Sequence, residues 1–225
     1  MEEIRLIDVK EEILSDNRDL ADEIRRELSS EGVFLLNLMG SPGSGKTSLI
    51  LKTVAELGGR YRIAVVETDI DSLVDSEKVA AEGIRVVQIR TGGSCHADAA
   101  MVEKALESLP LGELDLIILE NVGNLVCPAE SDTGAVSNAV ILSVPEGDDK
   151  PLKYPLVFTV CDALVINKID YMTLADFDLG RARERAAALN DKIIVFEVSC
   201  KTSLGVKDWV GWLDRQVSAF SEERA

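Results

Sequence analysis

The sequence predicts an α/β fold, a mostly parallel central sheet covered by helices on both faces. Three observations carry this. Apolar runs of strand length alternate with segments of helical period along the 225 residues. The strand candidates are continuously apolar, the pattern of strands buried on both faces. Hydrophobic residues make up 46% of the chain while aromatics are only 4%, so the core is aliphatic, as in parallel sheets rich in Val, Ile and Leu. Right-handed crossovers follow as the default.

Taken in order, residues 1–31 read as a polar, amphipathic helical lead-in, with Ile13, Leu20, Ile24 and Leu28 on one face. Residues 32–225 read as one domain without repeat, low-complexity tract or linker, a length that suits a single large α/β unit. Its first strand is 33–39, and the next are 62–67, 84–89, 114–120, 139–144, 163–167 and 193–198. Helices are predicted at about 46–57, 73–82, 97–108, 173–190 and 204–219. Long polar loops, 121–138 and 145–155, leave the carboxyl ends of strands, where open α/β sheets bind ligands.

Composition excludes several classes. A formal net charge of −16 and the scarcity of aromatics argue against a nucleic-acid partner, which needs clustered Lys and Arg or stacking platforms. The sequence has no apolar stretch of transmembrane length and no apolar segment at its start, so neither a membrane span nor a secretory signal is expected. The four cysteines, Cys95, Cys127, Cys161 and Cys200, are scattered, which suits a reducing cytoplasm. Cys161 and Cys200 read as small buried hydrophobes.

The first strand runs into Gly40-Ser41-Pro42-Gly43-Ser44-Gly45-Lys46-Thr47, followed by Ser48 and a helix. This is G-x-x-x-x-G-K-[ST] in the strand–loop–helix setting that a P-loop requires. The glycines let backbone N–H groups turn inward around a β-phosphate, and the helix N-terminus adds partial positive charge. Lys46 is expected to bridge β- and γ-phosphates and the Thr47 hydroxyl to ligate Mg²⁺.

A second motif selects the base. Asn167-Lys168-Ile169-Asp170 reads as N-K-x-D. Guanine presents two donors, N1–H and N2–H₂, that the Asp170 carboxylate accepts together, whereas adenine leaves it unpaired. Lys168 is expected to lie over the base and Asn167 to brace the loops. Ser199-Cys200-Lys201 resembles the S-[AC]-K loop that closes over guanine. Hydrolysis needs acids at strand ends beside the P-loop. Asp69 is assigned to Mg²⁺ or water positioning, Glu120 to Mg²⁺, and Gly123 to an N–H facing the γ-phosphate.

Cys95-His96 follows the third strand and Cys127-Pro128 the fourth, so both segments leave the same end of the sheet. Two thiolates and an imidazole suit Zn²⁺ or Ni²⁺ and leave a coordination position open. Cys95 and His96 taken alone read better as structural residues. Proline after Cys127 in an Asn/Gly-rich loop weakens that reading for Cys127.

The segments TGGSCHADA (91–99), ENVGNLVCPA (120–129) and EGDDKPLKYP (146–155) closely resemble the HypB family of hydrogenase-maturation GTPases. The resemblance implies a P-loop NTPase of SIMIBI type that hydrolyses GTP slowly and delivers nickel to the [NiFe]-hydrogenase large subunit precursor. It implies a HypA-type nickel/zinc accessory partner and a GTP-dependent homodimer with metal at its interface. The family's metal ligands fall on Cys95, His96 and Cys127. One departure is plain: many members begin with a Cys-rich nickel motif, and this chain has no cysteine before Cys95 and no histidine besides His96. Rival readings are a urease-accessory nickel GTPase, a small-molecule P-loop kinase, and a scaffold that uses GTP only structurally. Asp170 opposes the kinase, and the Cys-His order opposes the urease form.

Overall fold

The computed structural model describes residues 9–222, with side chains from residue 15 onward. Seven strands are present among them: β1 (Phe34–Gly40), β2 (Ile63–Asp69), β3 (Arg85–Arg90), β4 (Leu116–Glu120), β5 (Ser137–Ser143), β6 (Ala163–Asn167) and β7 (Ile194–Glu197). They form one sheet in the order β3-β2-β4-β1-β5-β6-β7, and every pairing is parallel. The P-loop strand β1 is central, so β4 and β5 end on either side of it. The helices are α1 (Val9–Glu31), α2 (Lys46–Leu57), α3 (Val74–Ala81), α4 (Ala99–Leu106), α5 (Cys127–Glu130), α6 (Lys150–Lys153), α7 (Pro155–Val160), α8 (Leu179–Leu189) and α9 (Val206–Glu222).

Alternation along β1 sorts the core into layers, because successive strand side chains point to opposite faces. Phe34, Leu36 and Leu38 pack toward Leu49 of α2 and Trp209 and Leu213 of α9. Val33 and Leu35 face α1 and α4, against Ile24, Leu28 and Val102. Met39 joins a third cluster with Phe158 of α7 and Ala182 of α8. Trp209 and Trp212 stand 5.2 Å apart beside Phe196, and the Trp209 indole N–H donates to Thr53 Oγ1 of α2 at 2.9 Å.

Helix α1 docks by the face its spacing marks: Ile24 and Leu28 are buried and Leu20 is half-buried. The side chain of Ile13 lies outside the described residues. Asn17 Nδ2 donates to the Asp132 carbonyl at 2.8 Å, and its Oδ1 accepts from Ala99 N at 2.9 Å. Arg25 pairs with Asp132 and donates Nε to the Ala135 carbonyl at 3.2 Å. A Cβ on Gly134 would fall 2.6 Å from Ile24, so only glycine lets α1 seat here.

Several boundaries differ from expectation. The helix predicted from 173 begins at Leu179, because Asp178 accepts from Arg181 N at 3.0 Å and caps it there, and 172–178 turn instead. The 97 start moves to Ala99, capped by Asp98, which accepts from Met101 N at 2.9 Å. The loop 145–155 holds α6 and leads directly into α7, each with a proline in its first turn, the position that tolerates a missing N–H. The loop 121–138 contains the short α5, and β5 starts at Ser137.

Candidate functional site

The P-loop wraps the start of α2. Gly43 and Gly45 take φ of +73° and +103°, values that side chains rarely adopt. A Cβ on Gly45 would stand 2.3 Å from Asn167 Nδ2. Lys46 is buried and folds back on the loop, donating to the Gly40 and Ser41 carbonyls at 3.3 and 3.4 Å. Ser44 is buried, and its hydroxyl has no hydrogen-bond partner among the described residues. A cleft of about 570 Å³ opens here, lined by Gly45, Lys46, Thr47, Glu67, Asp69 and Gly123, with Ser48 at its edge.

Two buried carboxyls lie side by side on adjacent strands. Glu67 and Glu120 are register partners in β2 and β4 and are 3% and 6% exposed. Thr47 Oγ1 donates to Glu120 Oε1 at 3.1 Å, while Glu67 Oε1 and Glu120 Oε2 have no partner among the described residues. Burial, reinforced by the neighbouring Glu120 charge, pushes Glu67 up to about 9. Burial also raises Glu120, against the pull of Lys46. Two orphaned carboxyl oxygens beside a hydroxyl are a hard, oxygen-only set, and they fit Mg²⁺. Asp69 lies on the same wall, but its Oδ1 is spent on the N–H groups of Asp71 and Ser72, at 2.9 and 2.7 Å. Glu67, to which the sequence analysis assigns no role, is thus the buried acid of β2 beside Glu120. The pairing of β2 with β4 is what singles it out.

Gly123 crowds the P-loop: a Cβ there would stand 2.9 Å from Pro42 Cγ and 3.0 Å from Pro42 N. The loop after β4 thus rests on the phosphate loop. On the other side a notch of about 350 Å³ continues the cleft past Gly45, Ser48 and Lys168 to Asp170, Cys200 and Lys201. Asn167 ties the two loops together, donating to the Ser44 carbonyl at 2.9 Å and accepting from Cys200 N at 3.2 Å. Ser199 Oγ donates to Asp170 Oδ1 at 2.6 Å and fixes that carboxylate. Lys168 adopts φ +61°, a left-handed conformation that is costly for a non-glycine residue, and its Nζ donates to the Gly43 carbonyl at 2.6 Å. Cys161 is buried as expected of a small hydrophobe, whereas Cys200 is half-buried on the rim of the base notch, because the chain turns there between β7 and α9.

The loops after β3 and β4 bring Cys95, His96 and Cys127 together. Their ligand atoms all lie within 4.8 Å of one another, and each residue is half-buried. Cys95 Sγ is 3.8 Å from His96 Nδ1. A hydrogen bond with Cys127, and then burial, raise the Cys95 thiol. Asn124 Nδ2 holds the Cys95 carbonyl at 3.3 Å, and Cys127 opens α5. Two sulfurs and an imidazole nitrogen form a soft set that suits Ni²⁺ or Zn²⁺ and leaves coordination positions open.

Comparison with known proteins fits this arrangement. Residues 34–197 match the nucleotide-binding domain model of CobW/HypB/UreG. The hydrogenase maturation factor HypB of Rhizobium leguminosarum bv. viciae is 42% identical over 214 residues, 95% of this chain and 72% of that protein. The chain belongs to the HypB family. A crystal structure of HypB from Helicobacter pylori in complex with nickel superimposes with a TM-score of 0.86 at 37% identity, covering 91% of this chain and 96% of that one. HypB from Archaeoglobus fulgidus gives 0.85 at 36% identity, over 91% of this chain and 100% of that one. As a HypB-family member, the chain is a P-loop GTPase of hydrogenase maturation.

Proposed function

We propose that the chain is a GTP-hydrolysing metallochaperone whose cargo is nickel, bound by Cys95, His96 and Cys127 and released toward the [NiFe]-hydrogenase large subunit precursor. The observation that supports this most directly is the three-ligand cluster, whose ligand atoms lie within 4.8 Å of one another on loops that adjoin the phosphate cleft. Zn²⁺ is an alternative occupant of the same donors.

In this reading, residues 1–31 are a helical lead-in and 32–225 the GTPase domain. Gly40, Ser41, Gly43, Ser44, Gly45 and Ser48 cradle the phosphates. Lys46 leaves the Gly40 and Ser41 carbonyls to neutralise β- and γ-phosphate oxygens. Asp170, fixed by Ser199, accepts the guanine N1–H and N2–H₂, with Lys168, Cys200 and Lys201 around the base and Asn167 bracing the P-loop. Thr47, Glu120 and Glu67 would hold Mg²⁺, with Asp69 beside them. When bound, the ion offsets the negative charge of the transferring phosphoryl group. Gly123 presents its N–H to the γ-phosphate, so loss of that group frees the loop that leads to Cys127. The partners are a HypA-type accessory protein and, in the GTP state, a second copy of the chain; the setting is the cytoplasm.

The test is equilibrium dialysis of Ni²⁺ with GDP and with a non-hydrolysable GTP analogue, for wild type and Cys127→Ala. Tighter binding with the analogue, lost in the variant, is expected. Binding indifferent to nucleotide and to Cys127 would overturn the proposal.

A further inference from the structure

Asn121 sits between Glu120 and the Val122-Gly123 turn, and its side chain is 0% exposed. Every hydrogen-bonding direction that this carboxamide uses leads somewhere different. Its Oδ1 accepts two backbone N–H groups: Val122 at 2.9 Å, on the wall of the phosphate cleft, and Ala97 at 3.1 Å, the residue after His96. Its Nδ2 donates to Asn37 Oδ1 in β1 at 3.1 Å, and Asn37 Nδ2 donates in turn to Asn138 Oδ1 in β5 at 2.9 Å. Two N–H donors on one oxygen fix which end of the amide is which. A buried, satisfied network of this kind holds one geometry and resists intermediate ones.

One oxygen atom is therefore shared between the nucleotide-side turn and the segment that carries Cys95 and His96. If the turn moves so that Val122 N–H leaves Asn121, the carboxamide keeps Ala97 alone on that oxygen. The buried Val122 N–H is then left without that acceptor unless the carboxamide follows it and draws the 95–97 segment along, and an unpaired buried donor is costly. The same loop makes a second tie through Asn124, which holds the Cys95 carbonyl at 3.3 Å and bridges the backbone of Gly40 at the start of the P-loop.

We propose that Asn121 is the positioning residue through which nucleotide state sets the affinity of the Cys95–His96–Cys127 cluster for its metal. This rests on the metallochaperone reading above and adds the residue that does the coupling. Asn17 provides the comparison. It holds the helix that follows Cys95 and His96, at Ala99 N, from helix α1, and its other hydrogen bond goes to the Asp132 carbonyl, beyond α5, not to the Val122-Gly123 turn.

The experiment measures the Kd of the full-length protein for Ni²⁺ with GDP and with a non-hydrolysable GTP analogue, in wild type, Asn121→Ala and Asn17→Ala. Folding is checked by circular dichroism and by GDP binding. The quantity read is the ratio of the two Kd values. Coupling between sites in proteins runs at about 5- to 150-fold. In Asn121→Ala the ratio falls to within about twofold of one, while Asn17→Ala keeps the wild-type ratio even if both Kd values rise together. Coupling is reciprocal, so Ni²⁺ must also stop altering the ratio of GDP to analogue affinity in Asn121→Ala. An unchanged ratio in Asn121→Ala, or an equal loss in Asn17→Ala, overturns the proposal. Should Asn121→Ala fail to fold, Asn124→Ala cuts the second tie, and retention of the full ratio there counts against coupling through this loop. A wild-type protein whose ratio is itself one refutes the metallochaperone reading instead, so the two failures are distinct.

Discussion

Substituting Gly123 by alanine tests how the loop after β4 senses phosphate. In the structure an added Cβ would lie 2.9 Å from Pro42 Cγ, 3.0 Å from Pro42 N and 3.1 Å from Pro42 Cα. Ordinary carbon contacts need about 3.5–4.0 Å, so the loop or the P-loop must retreat by roughly half an ångström to an ångström. Two of the three obstacles are backbone or Cα atoms of Pro42, which cannot rotate away. In the switch proposed above, the free or GDP-bound protein relieves the clash by letting the loop lift. A γ-phosphate that recruits the Gly123 N–H presses the loop back, and the strain of about 1–3 kcal/mol is then borne by the GTP state alone. Affinity for a non-hydrolysable GTP analogue should fall by about 5- to 150-fold, with GDP affinity changed less than about threefold. Isothermal titration of both nucleotides with Mg²⁺ reads this directly. Equal losses for GDP and analogue, or no loss for the analogue, would refute the reasoning.

Other expectations follow from the buried carboxyls and the thiols. Glu67→Gln keeps the size and neutral form of that side chain but removes a cation-binding oxygen. GTP turnover should fall by about 10²-fold with the thermal melt of the nucleotide-free protein no lower than wild type, and wild-type turnover in the variant would return the role to Asp69. Alkylation by iodoacetamide, followed by mass spectrometry, should label Cys95 and Cys127 and spare both when Ni²⁺ is present. Cys161, buried and raised by burial, should react only on unfolding. Burial pushes Cys200 up to about 11, so at pH 8 about one thiol in a thousand is ionised. Its labelling should quicken about tenfold per pH unit toward pH 10, and a pH-independent rate would count against that environment.

Much of this was legible along the chain because the signals are local. The G-x-x-x-x-G-K-T run sits between a strand and a helix, and N-K-x-D ends another strand, so each motif carries its own context. Parallel pairing was readable because strands such as 116–120 and 163–167 are apolar on both faces. What escaped depends on register. Glu67 and Asp69 project from the same face of β2, and what distinguishes them is the burial of Glu67 beside Glu120 and the turn bonds that occupy Asp69 Oδ1. Asn121 reads in sequence as a polar loop residue and becomes a fully buried junction once β1, β4 and the 97–99 segment converge on it. The short helices α5, α6 and α7 were missed because four to six residues do not complete a periodic pattern, and each carries a proline at its first or second position that reads first as a breaker.

The aromatic cluster has a practical consequence for watching this molecule at work. Both tryptophans of the chain lie in the layer formed by α2 and α9, and one is hydrogen-bonded to the helix that begins with Lys46 and Thr47. Ala97 and Ala99, which follow Cys95 and His96, pack in the opposite layer. Intrinsic fluorescence is then a gauge of strain in the phosphate-binding helix and of global unfolding. A change in emission when nickel is added to the folded protein would report a response of α2 and α9, and its time course would follow that response.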